Sequence, residues 1–423
     1  MDKLLVHGNG TLQGSINISG SKNASLPILA ATLLSGEPSI IRRVPDVSDT
    51  NYMLQILRAL GSEVERSSGT VRVEPADISP EAPYDLVRKM RASICVMGPL
   101  LARVGRAKIS LPGGCVIGDR PVDLHIKAMQ GLGAQVEMEG GDIILSSPNG
   151  LVGAEIDMRG KHGPTVLGTD NLMMAAVLAR GTTVIDSAAS EPEVVDLADF
   201  LIKMGARITG AGTRRIVIEG VDELKGVEHN IIPDRIEAGT FMVAAAMAGQ
   251  GVTLRRVCRE HLSAASDTLT KAGHLVDFNE EGSEVAISPG DQPRGCDIST
   301  APYPGFPTDM QAQFTAMFAT TPGISVVEDT IFPQRFMHCS EMKRMGADIK
   351  VDGGSALVRG VDYLSAAPVM ASDLRASAAL VLAALKARGT TEINRLYHID
   401  RGYEHIDEKL LQLGGQVERV PAG

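Results

Sequence analysis

The sequence predicts an α/β protein in which buried helices are enclosed by short mixed sheets, and three observations lead there. A unit repeats at a period of roughly 70 residues along the chain. In each copy an Ala/Leu/Met-rich segment is apolar on nearly every side, the pattern of a helix buried all round. In each copy, too, a second helix closes on a hydrophobic residue followed by glycine, the left-handed residue that ends a helix.

The second-helix endings set the register. They are Leu60-Gly61-Ser62, Leu132-Gly133-Ala134, Met204-Gly205-Ala206, Ala272-Gly273-His274, Met345-Gly346-Ala347 and Leu413-Gly414-Gly415. Alternating runs follow and read as strands, such as Gln135-Val136-Glu137-Met138 and Asp348-Ile349-Lys350-Val351. The buried helices are expected over Leu26 to Leu34, Cys95 to Ala102, Asn171 to Ala179, Phe241 to Ala248, Phe314 to Ala319 and Ala376 to Leu385. The second helices, such as Val194 to Lys203 and Tyr403 to Gln412, carry charge on one face and are expected outside. Six units divide as three plus three, with a boundary near Ile231 to Asp234. A doubly wound Rossmann sheet does not fit this pattern.

Composition narrows the function. The chain is 44% hydrophobic with 3% aromatic residues and no tryptophan, so its core is aliphatic. A formal net charge of −10 argues against nucleic-acid and anionic-membrane partners. Any anion site must then be a local cluster of basic residues. Five cysteines without CxxC pairs are the usage of a reducing compartment. With neither a secretory leader nor a membrane-spanning run, the expectation is a soluble cytoplasmic protein. No HExxH motif, paired Cys/His ligand cluster or EF-hand loop is present.

Several segments carry chemistry. Pro112-Gly113-Gly114-Cys115-Val116-Ile117-Gly118-Asp119-Arg120-Pro121 reads as an exposed turn, and Arg120 would favour thiolate at Cys115. Lys22, between Ser21 and Asn23, is expected at a strand-to-helix turn, where backbone N–H groups and an ammonium can meet an anion. Asp309 in Pro307-Thr308-Asp309-Met310 is placed as an N-cap, a role compatible with accepting a proton at a cleft. Arg375 is an anion-holding candidate, with an ion pair around Asp373 as the simpler alternative. Glu191 and Glu193 read as caps at a helix start.

These motifs, in this order, resemble the enolpyruvyl transferases over the full length. The similarity rests on Ser19-Gly20-Ser21-Lys22-Asn23-Ala24-Ser25-Leu26-Pro27, the Cys115 loop through Asp123-Leu124-His125, and Phe306-Pro307-Thr308-Asp309-Met310-Gln311-Ala312-Gln313. Arg335-Phe336-Met337-His338, Ser372-Asp373-Leu374-Arg375-Ala376 and Tyr397-His398-Ile399-Asp400-Arg401-Gly402-Tyr403-Glu404 complete it. The resemblance implies two inside-out α/β barrels of three units each, with the site in the cleft between them. One would span 21–232 and carry the Cys115 loop; the other would take 1–20 with 233–423. It further implies transfer of the enolpyruvyl group of phosphoenolpyruvate to the 3-hydroxyl of UDP-N-acetylglucosamine with release of phosphate and no metal or organic cofactor, the first committed step of peptidoglycan precursor synthesis. By the same resemblance Cys115 is the general acid, the site of a phosphoenolpyruvate adduct and the target of fosfomycin. Asp309 takes the hydroxyl proton, and Lys22, Arg120 and Arg401 hold phosphate and carboxylate. Asn23, Arg91, Pro121, Val122, Asp123, Leu124, Lys161 and Ile331 line the sugar-nucleotide pocket.

One stretch departs from the family pattern. Gly160-Lys161-His162-Gly163-Pro164-Thr165-Val166-Leu167-Gly168-Thr169-Asp170-Asn171 replaces a shorter Lys-x-Ser-Val-Gly segment, which leaves the uridine contacts open. Three alternatives stand beside the main reading. One is an enzyme of this fold acting on shikimate 3-phosphate, which would lack the Gly-Gly-Cys loop. The second is a transferase using another nucleotide, and the third a non-catalytic repeat scaffold.

Overall fold

Gly61, Gly133, Gly205, Gly273, Gly346 and Gly414 all stand at φ between +84° and +111°, a region any Cβ makes costly. They follow the helices Ser48–Ala59, Asp123–Gly131, Pro192–Lys203, Ser263–Lys271, Met337–Arg344 and Ile406–Gln412. The repeat register read from the sequence is therefore the register of the fold. The computed structural model describes residues 2–111, 122–161 and 163–421.

Five of the repeats place a strand beside a hairpin, with a further strand pairing in parallel at the edge, while Arg106–Ser110, Asp142–Ser146 and Gln135–Glu139 form a three-stranded antiparallel sheet among the described residues. In the first, Ser39–Arg42 pairs antiparallel with Thr70–Pro75 (Ser39 opposite Val73), which pairs with Ser62–Ser67. Glu228–Asn230, far along the chain, adds the parallel edge through Glu228 opposite Ile40. The last repeat borrows in the same way. Asp2–His7 lies between Thr390–Asn394 and Gln416–Pro421, antiparallel to both. Leu12–Asn17 then pairs in parallel with Gly249–Arg255. Borrowed strands cover edges that would otherwise be open to association.

The described residues form two compact units. One runs from Gly20 to Ile232; the other joins the chain up to Ser19 with the chain from Pro233 onward. Each has its own apolar core. The helices at these cores are Lys22–Ala31, Met97–Val104 and Val166–Ala176 in the first unit. In the second they are Arg235–Ala248, Gln311–Phe318 and Leu374–Lys386. Most of their residues are buried, as an all-round apolar sequence requires.

Several of these helices begin earlier than the apolar runs suggested, because polar residues open them. Ser21 caps the first, its Oγ accepting from the Ala24 N–H at 3.2 Å. Asp234 and Asp373 cap two others through backbone N–H groups of the first turn. The last outer helix starts at Ile406 and not Tyr403, since His405 is left-handed at φ +47°. Pro192–Lys203 is buried more deeply than an outer helix should be. Its Asp196 is not solvated but accepts from His229 Nε2 at 2.8 Å and from the Ile232 N–H at 3.2 Å. Glu191 is the N-cap residue of that helix and Glu193 lies in its first turn, as expected, though the Glu191 side chain makes no cap hydrogen bond.

Asn171 ties three segments of the first unit together. Its Oδ1 accepts from the Gly98 N–H at 2.9 Å, and its Nδ2 donates to the Ile94 carbonyl at 3.0 Å. The same amide nitrogen lies 3.0 Å from His125 Nδ1. Only glycine fits at 98, where a Cβ would lie 2.4 Å from the Asn171 carbonyl oxygen. Asn171→Ala would leave these buried groups without partners. The expected loss is about 3 kcal/mol in chemical unfolding, read from the urea midpoint by circular dichroism.

Candidate active site

Asp309 sits in a 3₁₀ turn, Thr308–Met310, that leads into the buried helix Gln311–Phe318. It is not the N-cap, which is Pro307. Its carboxylate lies between two guanidiniums. Arg335 Nη1 donates to Oδ1 at 2.7 Å and Arg375 Nη2 to Oδ2 at 3.0 Å. Both arginines are almost wholly buried, while the Asp309 side chain keeps 26% of its exposure. Burial alone would push the carboxyl up. The charges of Arg375 and Arg335, and hydrogen bonds from both, instead hold it well below the usual carboxylate range.

Arg375 is thus an anion-holding residue with an anion already in hand. Its partner is Asp309 and not Asp373, whose Oδ1 accepts from the Arg375 and Ala376 backbone N–H groups. Arg335 also donates to Thr308 Oγ1 at 3.2 Å. Asp329, buried, organises the neighbouring turn. Its Oδ1 accepts from the Ile331 and Phe332 N–H groups and from Thr300 Oγ1, and its Oδ2 from Thr308 Oγ1 at 2.7 Å. Half-buried Ile331 is therefore fixed beside the Asp309 turn. Arg401 lies in a turn after the short helix Leu396–His398, where its charge pushes the His398 imidazole down, after burial.

In the unit that starts at Gly20, Lys22 is the first residue of its helix, with Asn23 next and half-buried. Lys22 Nζ is 2.8 Å from Asp49 Oδ2, itself buried. Pro27 has no N–H, so the Asn23 carbonyl is left out of the i→i−4 ladder. Arg91 opens the short helix Arg91–Val96, and its charge adds to burial in lowering the His125 pKa. Val122 precedes and Asp123 and Leu124 begin the helix Asp123–Gly131, which the Asn171–His125 contact anchors. Lys161 is exposed in a turn between Arg159–Gly160 and Gly163–Pro164, a two-stranded pairing. A Cβ at Gly160 would touch Leu124 Cδ1 at 3.1 Å, so the divergent stretch lies against the Leu124 helix start. Cys115, Arg120 and Pro121 lie outside the described residues.

Sequence reasoning passed over the partners: Asp49, Arg335 as an ion-pair member, and Asp329. A polar residue inside an otherwise apolar motif was the available signal. It also passed over Asp170, whose Oδ1 has no hydrogen-bond partner and whose carboxyl is held well above its ordinary value by burial, then by Glu191 and Glu193. Among the described residues no three His, Cys, Asp or Glu side chains gather as a metal ion requires, and no helix is long and apolar enough to cross a membrane.

A family profile described as EPSP synthase (3-phosphoshikimate 1-carboxyvinyltransferase) matches residues 6–410. The chain belongs to this enolpyruvyl transferase family. Within it, the chain is 73% identical to the UDP-N-acetylglucosamine 1-carboxyvinyltransferase of Akkermansia muciniphila, covering 100% of this chain and 99% of that protein. Identity to the protein of the same description from Methylacidiphilum infernorum is 55%, over 99% of both. Among solved structures, the enolpyruvyl transferase NikO of Streptomyces tendae superposes at a TM-score of 0.89 with 25% identity, covering 100% of this chain and 99% of that one. EPSP synthase of Acinetobacter baumannii superposes at 0.76 with 17% identity and full coverage of both chains, a likeness of fold.

His125 and His338 set an acid limit on this family member. Burial, followed by the Arg91 charge for His125, holds both imidazoles down to about 4; at His338 Asp373 opposes and Arg335 assists. The unfolded chain, with imidazoles near 6.5, binds more protons between those values, so stability falls as pH falls through that window. The expected outcome is a urea midpoint that drops between about pH 7 and about pH 4.5. His125→Gln should shrink the drop.

Proposed function

We propose that the protein transfers the enolpyruvyl group of phosphoenolpyruvate to the 3-hydroxyl of UDP-N-acetylglucosamine and releases phosphate, in the cytoplasm, as a step of peptidoglycan precursor synthesis. The observation that carries this reading is 73% identity across the whole chain to a UDP-N-acetylglucosamine 1-carboxyvinyltransferase. The ion-paired Asp309 supports it, since a proton acceptor beside two guanidiniums suits an acceptor hydroxyl meeting an anionic donor.

Asp309 accepts the proton of the sugar 3-hydroxyl as its oxygen bonds to the central carbon of phosphoenolpyruvate. Cys115 gives a proton to the methylene carbon, forming a tetrahedral phospho-ketal. Loss of phosphate, which carries off the proton held by Asp309, with return of a methyl proton to the thiolate, leaves the enol ether on the sugar. Atoms and charges balance without a redox partner. At rest Asp309 is a weak base, because two cations stabilise its ionised form. The carboxylate and phosphate of the donor compete for the same guanidinium donors, and a loosened Asp309 is the stronger base. Lys22, aimed by Asp49, and Arg120 and Arg401 hold the remaining negative charge.

Asn23, Arg91, Val122, Asp123, Leu124 and Ile331 line the nucleotide pocket in this reading, with Pro121. Lys161 meets the uridine side. We read the two units as inside-out barrels, 21–232 and 1–20 with 233–423, and assign the site to residues of both. The buried helices and outer mixed sheets support the barrel reading.

Phosphate release from phosphoenolpyruvate with UDP-N-acetylglucosamine, and with shikimate 3-phosphate as the alternative acceptor, tests the assignment. Release only with the sugar nucleotide is expected. Asp309→Asn should lower kcat by roughly 10²- to 10⁴-fold, the range for a general base. Release with shikimate 3-phosphate alone would overturn the acceptor.

A further inference from the structure

Buried Asp196 holds a backbone position that the reaction as described leaves unused. On the helix Pro192–Lys203 it shares one face with Phe200 and Lys203, one and two turns further on. That face holds His229. Asp196 Oδ1 accepts from His229 Nε2 at 2.8 Å, Lys203 Nζ lies 3.0 Å from Nδ1, and the Phe200 ring meets the imidazole edge-on at 5.5 Å between centroids. An ammonium can only donate, so Nδ1 accepts from it and the ring proton stands on Nε2, toward Asp196. The second carboxylate oxygen takes the Ile232 N–H at 3.2 Å. Strand pairing does not reach that far: Asn230 is the last residue paired, opposite Arg42, and the Ile231 N–H still donates to the Arg42 carbonyl at 3.1 Å. Ile232 in turn accepts at its carbonyl from the Ser21 N–H at 2.7 Å. Ser21 is the N-cap of the helix that begins at Lys22; its Oγ accepts from the Ala24 N–H at 3.2 Å and its carbonyl from the Ser25 N–H at 3.0 Å. Every link lies inside the unit that runs from Gly20 to Ile232.

We propose that Asp196, oriented by His229, is a positioning residue for donor binding: through Ile232 and Ser21 it fixes where the first buried helix starts, and with it the place of the Lys22 ammonium that meets the negative charge of phosphoenolpyruvate. The proposal rests on Lys22 being an anion holder, as in the reaction above. Lys22 is then anchored twice, by its side chain at Asp49 and by the backbone just ahead of it at Ile232. A carboxylate taken out of water is destabilising unless hydrogen bonds fill its oxygens. His229 fills one and so turns the other toward Ile232.

Asp196→Leu, Asp196→Asn, His229→Leu and Lys22→Gln would be compared with the unaltered protein by steady-state phosphate release and by thermal unfolding. Leucine at 196 keeps the volume and removes both acceptors. Asparagine removes the charge too, yet keeps an oxygen for the Ile232 N–H. Its amide can donate to His229 Nε2 once exposed Lys203 swings into solvent and the ring proton moves to Nδ1. Asp196→Leu should raise KM for phosphoenolpyruvate about tenfold, the scale of one hydrogen bond to a charged group. Its kcat should stay within about threefold, as for an interaction that acts on binding. Asp196→Asn should keep KM within about threefold of the unaltered value, even where its unfolding temperature falls as far as that of Asp196→Leu. His229→Leu leaves the carboxylate unoriented and should raise the same KM about threefold, a result read independently should Asp196→Leu not fold. A lowered unfolding temperature with KM unaltered in Asp196→Leu or His229→Leu would overturn the proposal and leave a packing role. Equal KM values for the leucine and asparagine variants at 196 would also overturn it. In either case Lys22→Gln still loses kcat/KM for phosphoenolpyruvate, so the reading of Lys22 stands. If Lys22→Gln keeps the unaltered kcat/KM, or the unaltered protein releases no phosphate, that reading fails and the proposal fails with it.

Discussion

One carboxylate between two buried guanidiniums constrains the second unit more than any other contact. Taking an arginine out of water costs several kcal/mol, and a second one nearby adds repulsion. Arg335 and Arg375 are tolerable inside the protein only while Asp309 stands between them. That requirement brings together a 3₁₀ turn, the segment after the strand Ile324–Glu328 and the start of the helix Leu374–Lys386. Asp329 serves the same end without charge exchange, spending its two oxygens on the backbone and hydroxyls of the first two segments. The geometry that makes a reactive cluster also fixes the local backbone.

A common rule places such clusters. The core helices are apolar on nearly all sides, so their charged side chains gather near the helix starts. Lys22, Glu237 and Arg375 stand in the first turns of their helices, Asp170 in the second turn, and Asp309 just ahead of its own. Helix starts also expose unpaired N–H groups and positive potential, which favour anions. The fold thus supplies several polar helix ends, and the side chains there decide which bind, which react and which are structural. Asp170, its carboxyl pushed up by burial and by Glu191 and Glu193, and Asp309, held down by two arginines, are the same residue type with opposite electrostatics.

This rule also explains what the sequence made legible. The repeat and its glycines were readable because helix closure is local: a left-handed residue is needed one step past the helix, whatever lies around it. Helix starts were misjudged for the opposite reason. Lys22, Asp234 and Asp373 look like loop residues when the buried face is sought by apolarity, yet two cap their helices and one begins its first turn. Arg375 and Asp309 were each singled out, but their pairing was not, since 66 positions separate them and no period links them. Asp196 read as surface charge because its histidine partner lies 33 residues on, in another strand. Pairing between distant segments is a property of the folded core, and apolar periodicity carries no trace of it.

In the proposed reaction Asp309 is the base, yet two guanidiniums hold its carboxyl well below its ordinary range, which invites the question of what the protein gains by weakening it. A guanidinium in contact with a carboxylate stabilises its ionised form and weakens it as a base. Drawing one guanidinium away from Asp309 therefore raises its basicity by an amount that matters to a proton transfer. Drawing both away would leave a carboxylate of ordinary basicity at best, so partial release is the useful state.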